Sequence, residues 1–260
     1  MNAIVLLAII LFLLMFLVGG KKGIRSFVAL FLNFIVVIVA LFFMNVPTLN
    51  PVLITLVACI FISYINLFFI NQINAKTKTA FVSTIITTLL LVLLITYITN
   101  NAMIQGFGEE ETEELGAFSL YIGIDFVKVA ISVIIMSTIG AITDAAMAIS
   151  SPMRELHYHQ PHIERKALFR FGLTIGRDII GTSVNTLFFA FIGSYLALII
   201  WFKDLAYSFG DIVNSKIFSG EMITICCAAI GVILVIPVTA WVTSYFLTKK
   251  SSVPRQHDSN

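Results

Sequence analysis

The sequence predicts an all-α, polytopic helical membrane protein with about seven transmembrane helices. Two observations support this prediction: the chain contains seven long apolar blocks, and its basic residues are collected in alternate connections between them. With 59% hydrophobic and 12% charged residues, nearly all of the 260-residue chain is suited to lipid or to helix packing. Because no connection has room for a soluble domain, we expect one membrane domain over 1–248 and a short cytoplasmic tail over 249–260.

The apolar blocks are long enough to cross a bilayer. A crossing helix needs roughly 20 apolar residues, because each residue rises about 1.5 Å across a hydrocarbon core of about 30 Å. The blocks cover residues 3–18, 24–44, 52–70, 80–97, 122–147, 180–202 and 222–247. In the first and shortest block the lysines follow the apolar run instead of preceding it. We therefore interpret it as a retained helix and not as a cleaved signal peptide. If it were cleaved, six helices would remain.

The basic residues predict the orientation of the chain. Thirteen of the sixteen Lys and Arg residues fall in the connections that follow blocks one, three, five and seven. The opposite connections hold only Lys203 and Lys216, and Lys128 lies inside block five. Because cytoplasmic loops collect Lys and Arg, we expect the N-terminus outside, the C-terminus inside, and a location in the plasma membrane.

Several other functions find little support in the sequence. No dinucleotide-binding or P-loop glycine motif is present, so no nucleotide cofactor is expected. The basic, partly amphipathic stretch 150–178 is interpreted as a helix on the inner leaflet, not as a nucleic-acid-binding surface. His157, His159 and His162 are interpreted as a solvated loop, with a zinc or nickel site as the alternative. The acidic run 109–114 is typical of a solvated segment.

Block five carries three charged residues, which are costly inside a bilayer and therefore indicate function. Asp125 and Lys128 are three residues apart, so their side chains meet on one helix face. They form either an ion pair near the outer interface or a site that exchanges partners during transport. Asp144 is predicted near the inner end of this block, with Arg177 or a bound cation as its partner. The alternative is a carboxylate at headgroup level.

The start of block six is rich in polar and small residues. Close helix packing explains many of them, but not a polar cluster at one membrane depth. Together with Asp144, this cluster predicts a substrate or ion site between blocks five and six: Arg177, Asp178, Thr182, Asn185 and Thr186. Other residues are predicted to allow close packing or to break helices: Gly140, Gly172, Gly176, Gly181, Gly193 and Pro237.

Two stretches resemble the YibE/F family of multi-pass membrane proteins: GAITDAAMAISSPMREL at 140–156 and GRDIIGTSVNTLFFAFIG at 176–193. The segment VIPVTA at 235–240 is also similar, and the order of the segments matches across most of the chain. The resemblance implies a transporter-like or permease-like protein. Many members carry an additional N-terminal extramembrane region, which these residues do not include. A longer paralogous membrane protein is therefore the implied partner, with a homo-oligomer as the alternative.

The leading functional hypothesis is a transporter, or a transporter subunit, for a solute or ion. Proton or cation coupling is expected through Asp144 or Asp178. A non-transporting scaffold or assembly subunit for a paralogous partner is the alternative. An intramembrane aspartyl protease would need the two carboxylates to share a proton, and Arg177 disfavours this because it would keep Asp178 ionised. No enzymatic activity, and so no catalytic residue, is expected.

Overall fold

The structure is a computed structural model that describes residues 2–46, 48–104 and 125–251, and it is helical throughout these ranges apart from short connections. Its helices are α1 (Ala3–Met44), α2 (Pro51–Tyr64), α3 (Ala75–Ala102), α4 (Phe126–His159), α5 (Arg165–Ser194), α6 (Leu196–Asp204), α7 (Phe209–Asn214) and α8 (Lys216–Ser251). A π-helical turn, Ile65–Phe69, continues α2. Among the described residues, six helical segments are long and apolar enough to cross a bilayer: α1, α2 with its π-helical turn, α3, α4, α5 and α8.

The first helical segment, α1, folds back on itself at Gly20. This residue has φ 53°, a left-handed conformation that glycine adopts without steric cost. The rings of Phe12 and Phe27 lie 5.0 Å apart, whereas a straight helix would separate them by about 22 Å. Gly23 lies so close to the carbonyl oxygen of Met15 that no Cβ fits. The two arms of α1 match the first two predicted blocks, and a total of seven crossings stays a prediction.

Helix α4 lies at the centre of the bundle. It packs against α2, α3 and α8, and α8 in turn packs along α5. Gly231 of α8 lies against Leu91 of α3 and Ile142 of α4, which leaves no room for a Cβ at this position. A second apolar cluster includes Met153 of α4 and Ala240 of α8. The order of these contacts shows that α4 and α8 run parallel.

The basic connections after blocks three, five and seven meet at one end of the bundle. The Lys76 ammonium donates a hydrogen bond to the Ser151 hydroxyl at 3.1 Å. The Arg165 guanidinium lies 4.5 Å from the centroid of the Tyr245 ring, and the Lys249 ammonium lies 5.6 Å from the same centroid. We call this the basic end. Aromatic and basic residues of this kind mark the headgroup level of a membrane. That the basic end faces the cytoplasm stays a prediction.

Two helices extend well beyond their apolar blocks. Helix α4 continues to His159 and α5 begins at Arg165, so the predicted separate surface helix over 150–178 is wrong. The reason is that apolar residues in this stretch, including Met153 and Leu168, are fully buried in the bundle. Helix α5 also ends at Ser194, before the end of the predicted block, and α6 follows it after a single residue.

The helix breaks predicted at Gly172, Gly176, Gly181 and Pro237 do not occur. Helix α5 is continuous through Gly172, Gly176 and Gly181, and α8 is continuous through Pro237. Backbone hydrogen bonds of α5 therefore continue through these glycines, as the hydrocarbon core of a membrane requires, whereas Pro237 of α8 has no amide hydrogen to donate. The end of α5 falls later in the chain, at Tyr195, where the backbone leaves the helical conformation.

The glycines of α4 and α5 fall into two groups. A Cβ at Gly172 would lie 2.6 Å from the Met153 sulfur and 2.9 Å from the Ala240 Cβ, and a Cβ at Gly176 would overlap the Ile236 side chain. These two glycines let α5 and α8 approach closely. By contrast, a Cβ at three other glycines would meet no atom of the described structure within 4 Å: Gly140, Gly181 and Gly193. Close packing at these three is therefore absent within the described chain.

Candidate functional site

Asp144 lies in the middle of its helix, not near its inner end. Helix α4 continues to His159, about 22 Å further on, so the predicted position near the inner end is wrong. Two residues before Asp144, Ile142 packs against Gly231 of α8. Gly231 is about 21 Å along α8 from Tyr245 at the basic end. Asp144 is therefore about 18 Å from that level, close to the middle of a hydrocarbon core of about 30 Å.

Asp144 lines a cleft between α4 and α5. The cleft has a volume of about 510 Å³. Its polar lining consists of Asp144 from α4 and of Thr182, Ser183 and Thr186 from α5. The remaining lining from α4 is small, and includes Gly140 and three alanines. Small side chains at these positions leave the space that a solute or hydrated ion would occupy.

The polar groups of the cleft are acceptor oxygens. The Thr182 hydroxyl donates to the Ile179 carbonyl at 3.0 Å, and the Thr186 hydroxyl donates to the Thr182 carbonyl at 2.8 Å. Each hydroxyl oxygen keeps lone pairs that can accept from a ligand. No described Lys, Arg or His side chain forms an ion pair with Asp144. A carboxylate with neutral oxygens suits a proton, a cation or a solute with ammonium donors.

Half of the predicted site residues lie outside the cleft. Arg177, Asp178 and Asn185 are exposed and do not line the cleft. Around α5, Arg177 and Asn185 point at least about 60° away from Thr182 and Thr186, whereas Asp178 is only about 40° from Thr182 and lies one turn nearer the basic end. The structure thus brings Asp144, Thr182 and Thr186 together and leaves the other three outside. Arg177 is not the partner of Asp144, and Asp178 does not share a site with it.

The charged residues outside the cleft also lie near mid-membrane. Gly176 packs against Ile236, which is about 14 Å along α8 from Tyr245. The adjacent Arg177 and Asp178 are therefore near the middle of the hydrocarbon core. A charged side chain there costs at least about 2.5–3.5 kcal/mol when it faces lipid. Neither residue forms an ion pair with any residue that the structure describes. This side of α5 is therefore poorly suited to lipid.

The predicted ion pair between Asp125 and Lys128 is present, and it belongs to a helix terminus. The Lys128 Nζ lies 2.9 Å from the Asp125 Oδ2. Asp125 is the N-cap of α4 and accepts hydrogen bonds from the backbone amides of Val127 and Lys128. Chiefly through its hydrogen bond, the Lys128 side chain holds the pKa of Asp125 below its ordinary value. Capping and charge pairing at an exposed end explain both residues without a transport role.

The histidine and acidic segments add no further site. His157 and His159 lie in the last turn of α4, so the predicted loop is wrong for these two residues, and the His159 Nε2 is 3.2 Å from the Glu155 Oε1. Within the ranges that the structure describes, no three His, Cys, Asp or Glu side chains come together as a possible metal-ligand set. The acidic run 109–114 lies outside the described residues.

Sequence reasoning missed several polar groups of the interior. Ser183 lines the cleft one residue after Thr182, and an amide hydrogen bond of 2.8 Å joins Asn33 to Asn66 between α1 and the π-helical turn. Several buried hydroxyls have no hydrogen-bond partner among the described residues: Ser63, Thr84, Thr87, Thr99, Thr239 and Thr243. A signal for two of them, Thr84 and Thr87, was visible in block four, where Thr and Ser recur at helical spacing.

A bundle of long apolar helices, with a polar cleft at mid-depth between two of them, defines a multi-pass membrane protein. The profile of the YibE/F-like protein family matches residues 7–249. Because this match covers most of the chain, the chain belongs to the YibE/F-like family. No curated protein matched the chain, and no solved structure matched it.

Proposed function

We propose that this protein is a transporter, or a transporter subunit, for a proton, a cation or a solute with a cationic group. The observation that carries the proposal is the position of Asp144, near mid-membrane, in a cleft, and without a cationic partner among the described residues. The plasma membrane is the proposed location.

The chemistry of the cleft supports selectivity for positive charge. An ionised carboxylate within a membrane is stabilised by an opposite charge or by protonation. A proton and a cation would therefore compete for Asp144, and this competition is a simple basis for coupled transport. Hydroxyl oxygens of Thr182, Ser183 and Thr186 would replace part of the hydration shell of the bound species. They contribute no charge, and they would set the position of the bound species and part of its affinity.

The energy source would be an ion gradient. The sequence contains no P-loop motif, and all described helices belong to one membrane bundle. A chain of this kind would either use the electrochemical gradient directly or work with a separate subunit. The cleft is the proposed binding site of the transported or coupling species, and intramembrane carboxylates commonly serve this role.

Transport by purified protein in liposomes tests the proposal. Proton movement is followed with an enclosed pH-sensitive dye, and sodium and potassium movement with radioactive tracers, at a set membrane potential. We expect the wild type to move at least one of these species and Asp144→Asn to lose most of that flux. The matched control is Asp125→Asn, because Asp125 is a half-exposed aspartate on the same helix.

Two results would contradict the proposal. One is an Asp144→Asn protein that moves every tested species at the wild-type rate. The other is a folded wild type that moves none of the three cations, whether alone or with a co-purified membrane partner. The second result would favour the scaffold or assembly subunit. Ser183→Ala and Thr182→Val are expected to change apparent affinity for the ion more than maximal rate.

A further inference from the structure

The exposed side of α5 near mid-membrane carries two opposite charges that cannot satisfy each other. Arg177 and Asp178 are adjacent in sequence, and adjacent residues of a helix point about 100° apart. Both are exposed, and neither forms an ion pair with a described residue. They lie at nearly the same depth, next to the contact of Gly176 with Ile236. Some protein surface with matching charges would therefore stabilise both.

The surface between the two charges carries small side chains and is exposed. Thr174 and Gly181 fall between Arg177 and Asp178 when α5 is viewed along its axis, and Asn185 lies one turn beyond Gly181 on the same side. All five residues are exposed. A Cβ at Gly181 would meet no described atom within 4 Å, so another helix can approach there. We call these five residues the α5 polar face.

We propose that the α5 polar face binds the same face of a second copy of this chain. Two copies with the same orientation in a membrane can be related by a two-fold axis along the membrane normal. Each residue of one copy then faces residues of the other copy that lie at the same depth in the membrane. Arg177 of each copy then lies opposite Asp178 of the other, which gives two reciprocal ion pairs. A two-fold interface requires a self-complementary surface of this kind.

The small residues at the centre suit this arrangement. Gly181 and Thr174 lie nearest the axis and let the two backbones approach, as small residues do in membrane helix pairs. The amide of Asn185 can bond to the same group in the second copy. The centre of the cleft lining on α5 points about 150° away from the centre of this face, although its nearest member, Thr182, is only about 40° from Asp178. The inference is therefore independent of the transport proposal.

Charge exchange tests the pairing. Copies labelled with donor or acceptor fluorophores are reconstituted at low density in liposomes, and energy transfer reports association. Arg177→Asp alone and Asp178→Arg alone place like charges opposite each other, so each is expected to self-associate at least about tenfold more weakly. A mixture of the two variants restores both opposite-charge pairs. We expect energy transfer between the mixed variants to return to the wild-type level.

A neutral variant tests the same face without altering charge. Gly181→Leu fits the lone chain, because the position is open, but it would hold two copies apart. Gly193→Leu is the matched control, since Gly193 is equally open on the same helix but projects about 120° away. We expect the first variant to lose association and the second to keep it.

Three outcomes overturn the proposal. The first is a wild type that stays single in liposomes, including one that pairs only with a different membrane protein. The second is wild-type association by either charge variant alone. The third is a mixture of Arg177→Asp and Asp178→Arg copies that associates no better than each variant by itself. Restored energy transfer in the mixture also shows that both variants are folded.

Discussion

The contact between α5 and α8 gives a prediction whose magnitude follows from the structure. At Gly176 a Cβ would overlap the side chain of Ile236, which is β-branched and cannot easily turn away within its helix. At Gly181 a Cβ would meet nothing within 4 Å. Gly176→Ala and Gly181→Ala therefore add the same methyl group to the interior of the same helix, one in a filled space and one in an open space.

The two substitutions share one energy term and differ in another. Replacing glycine by alanine inside a helix stabilises it by roughly 0.8–1.0 kcal/mol, and this gain is common to both. Overpacking typically costs about 1–3 kcal/mol and applies only to Gly176→Ala. The difference in unfolding free energy between the variants should therefore be about 1–3 kcal/mol, with Gly181→Ala the more stable. Chains of this size shift by roughly 2–4 °C per kcal/mol, so the midpoints should differ by about 2–12 °C.

Thermal unfolding in a mild detergent, with a fluorescent readout of the cysteines, measures this difference. Gly176→Ala combined with Ile236→Ala should recover part of the loss, because the overlapping atoms of Ile236 are removed. Ile236→Ala alone is expected to destabilise the protein by leaving a cavity, so the recovery is read from a double-mutant cycle. Equal midpoints for Gly176→Ala and Gly181→Ala would refute the close approach of α5 to α8.

Two further predictions concern other parts of the bundle. Cysteines introduced at Phe12 and Phe27 in a cysteine-free background should cross-link. Gly23→Leu should abolish the cross-link, because the arms of α1 cannot then approach. If the Gly23→Leu protein cross-links as fast as the protein that keeps Gly23, the hairpin is contradicted. Asp125→Ala should lower the free energy of unfolding by about 0.5–2 kcal/mol through loss of the α4 cap. Asp125→Asn keeps a capping oxygen and should lower it less. Equal losses of stability for the two variants in thermal unfolding would contradict the capping role. Because the pKa of Asp125 is lowered, its contribution to stability is present at neutral pH and disappears as the pH falls through that lowered pKa.

The sequence predicted the helices well but their ends poorly. Apolar blocks identify the part of a helix that meets lipid, and a helix can continue beyond the membrane with polar residues. The stretch from 148 to 159 is such a case, because α4 keeps its helix there while Met153 is fully buried in the bundle. The position of Asp144 relative to the end of α4 could therefore not be read from the end of an apolar block.

The cleft shows a second limit, which concerns direction around a helix. Around α5, Asp178 and Asn185 are about 20° apart and Thr182 and Thr186 are about 40° apart, but Asp178 and Thr182 are also only about 40° apart, so the two pairs are neighbours. Sequence grouped all four because they lie in one stretch at similar depth. Helical spacing alone therefore does not separate the two pairs, and the packing of α5 on α8 through Gly172 and Gly176 decides which pair faces Asp144. That contact turns Thr182 and Thr186 into the cleft and leaves Asp178 and Asn185 on the outer side, where a second protein surface is needed.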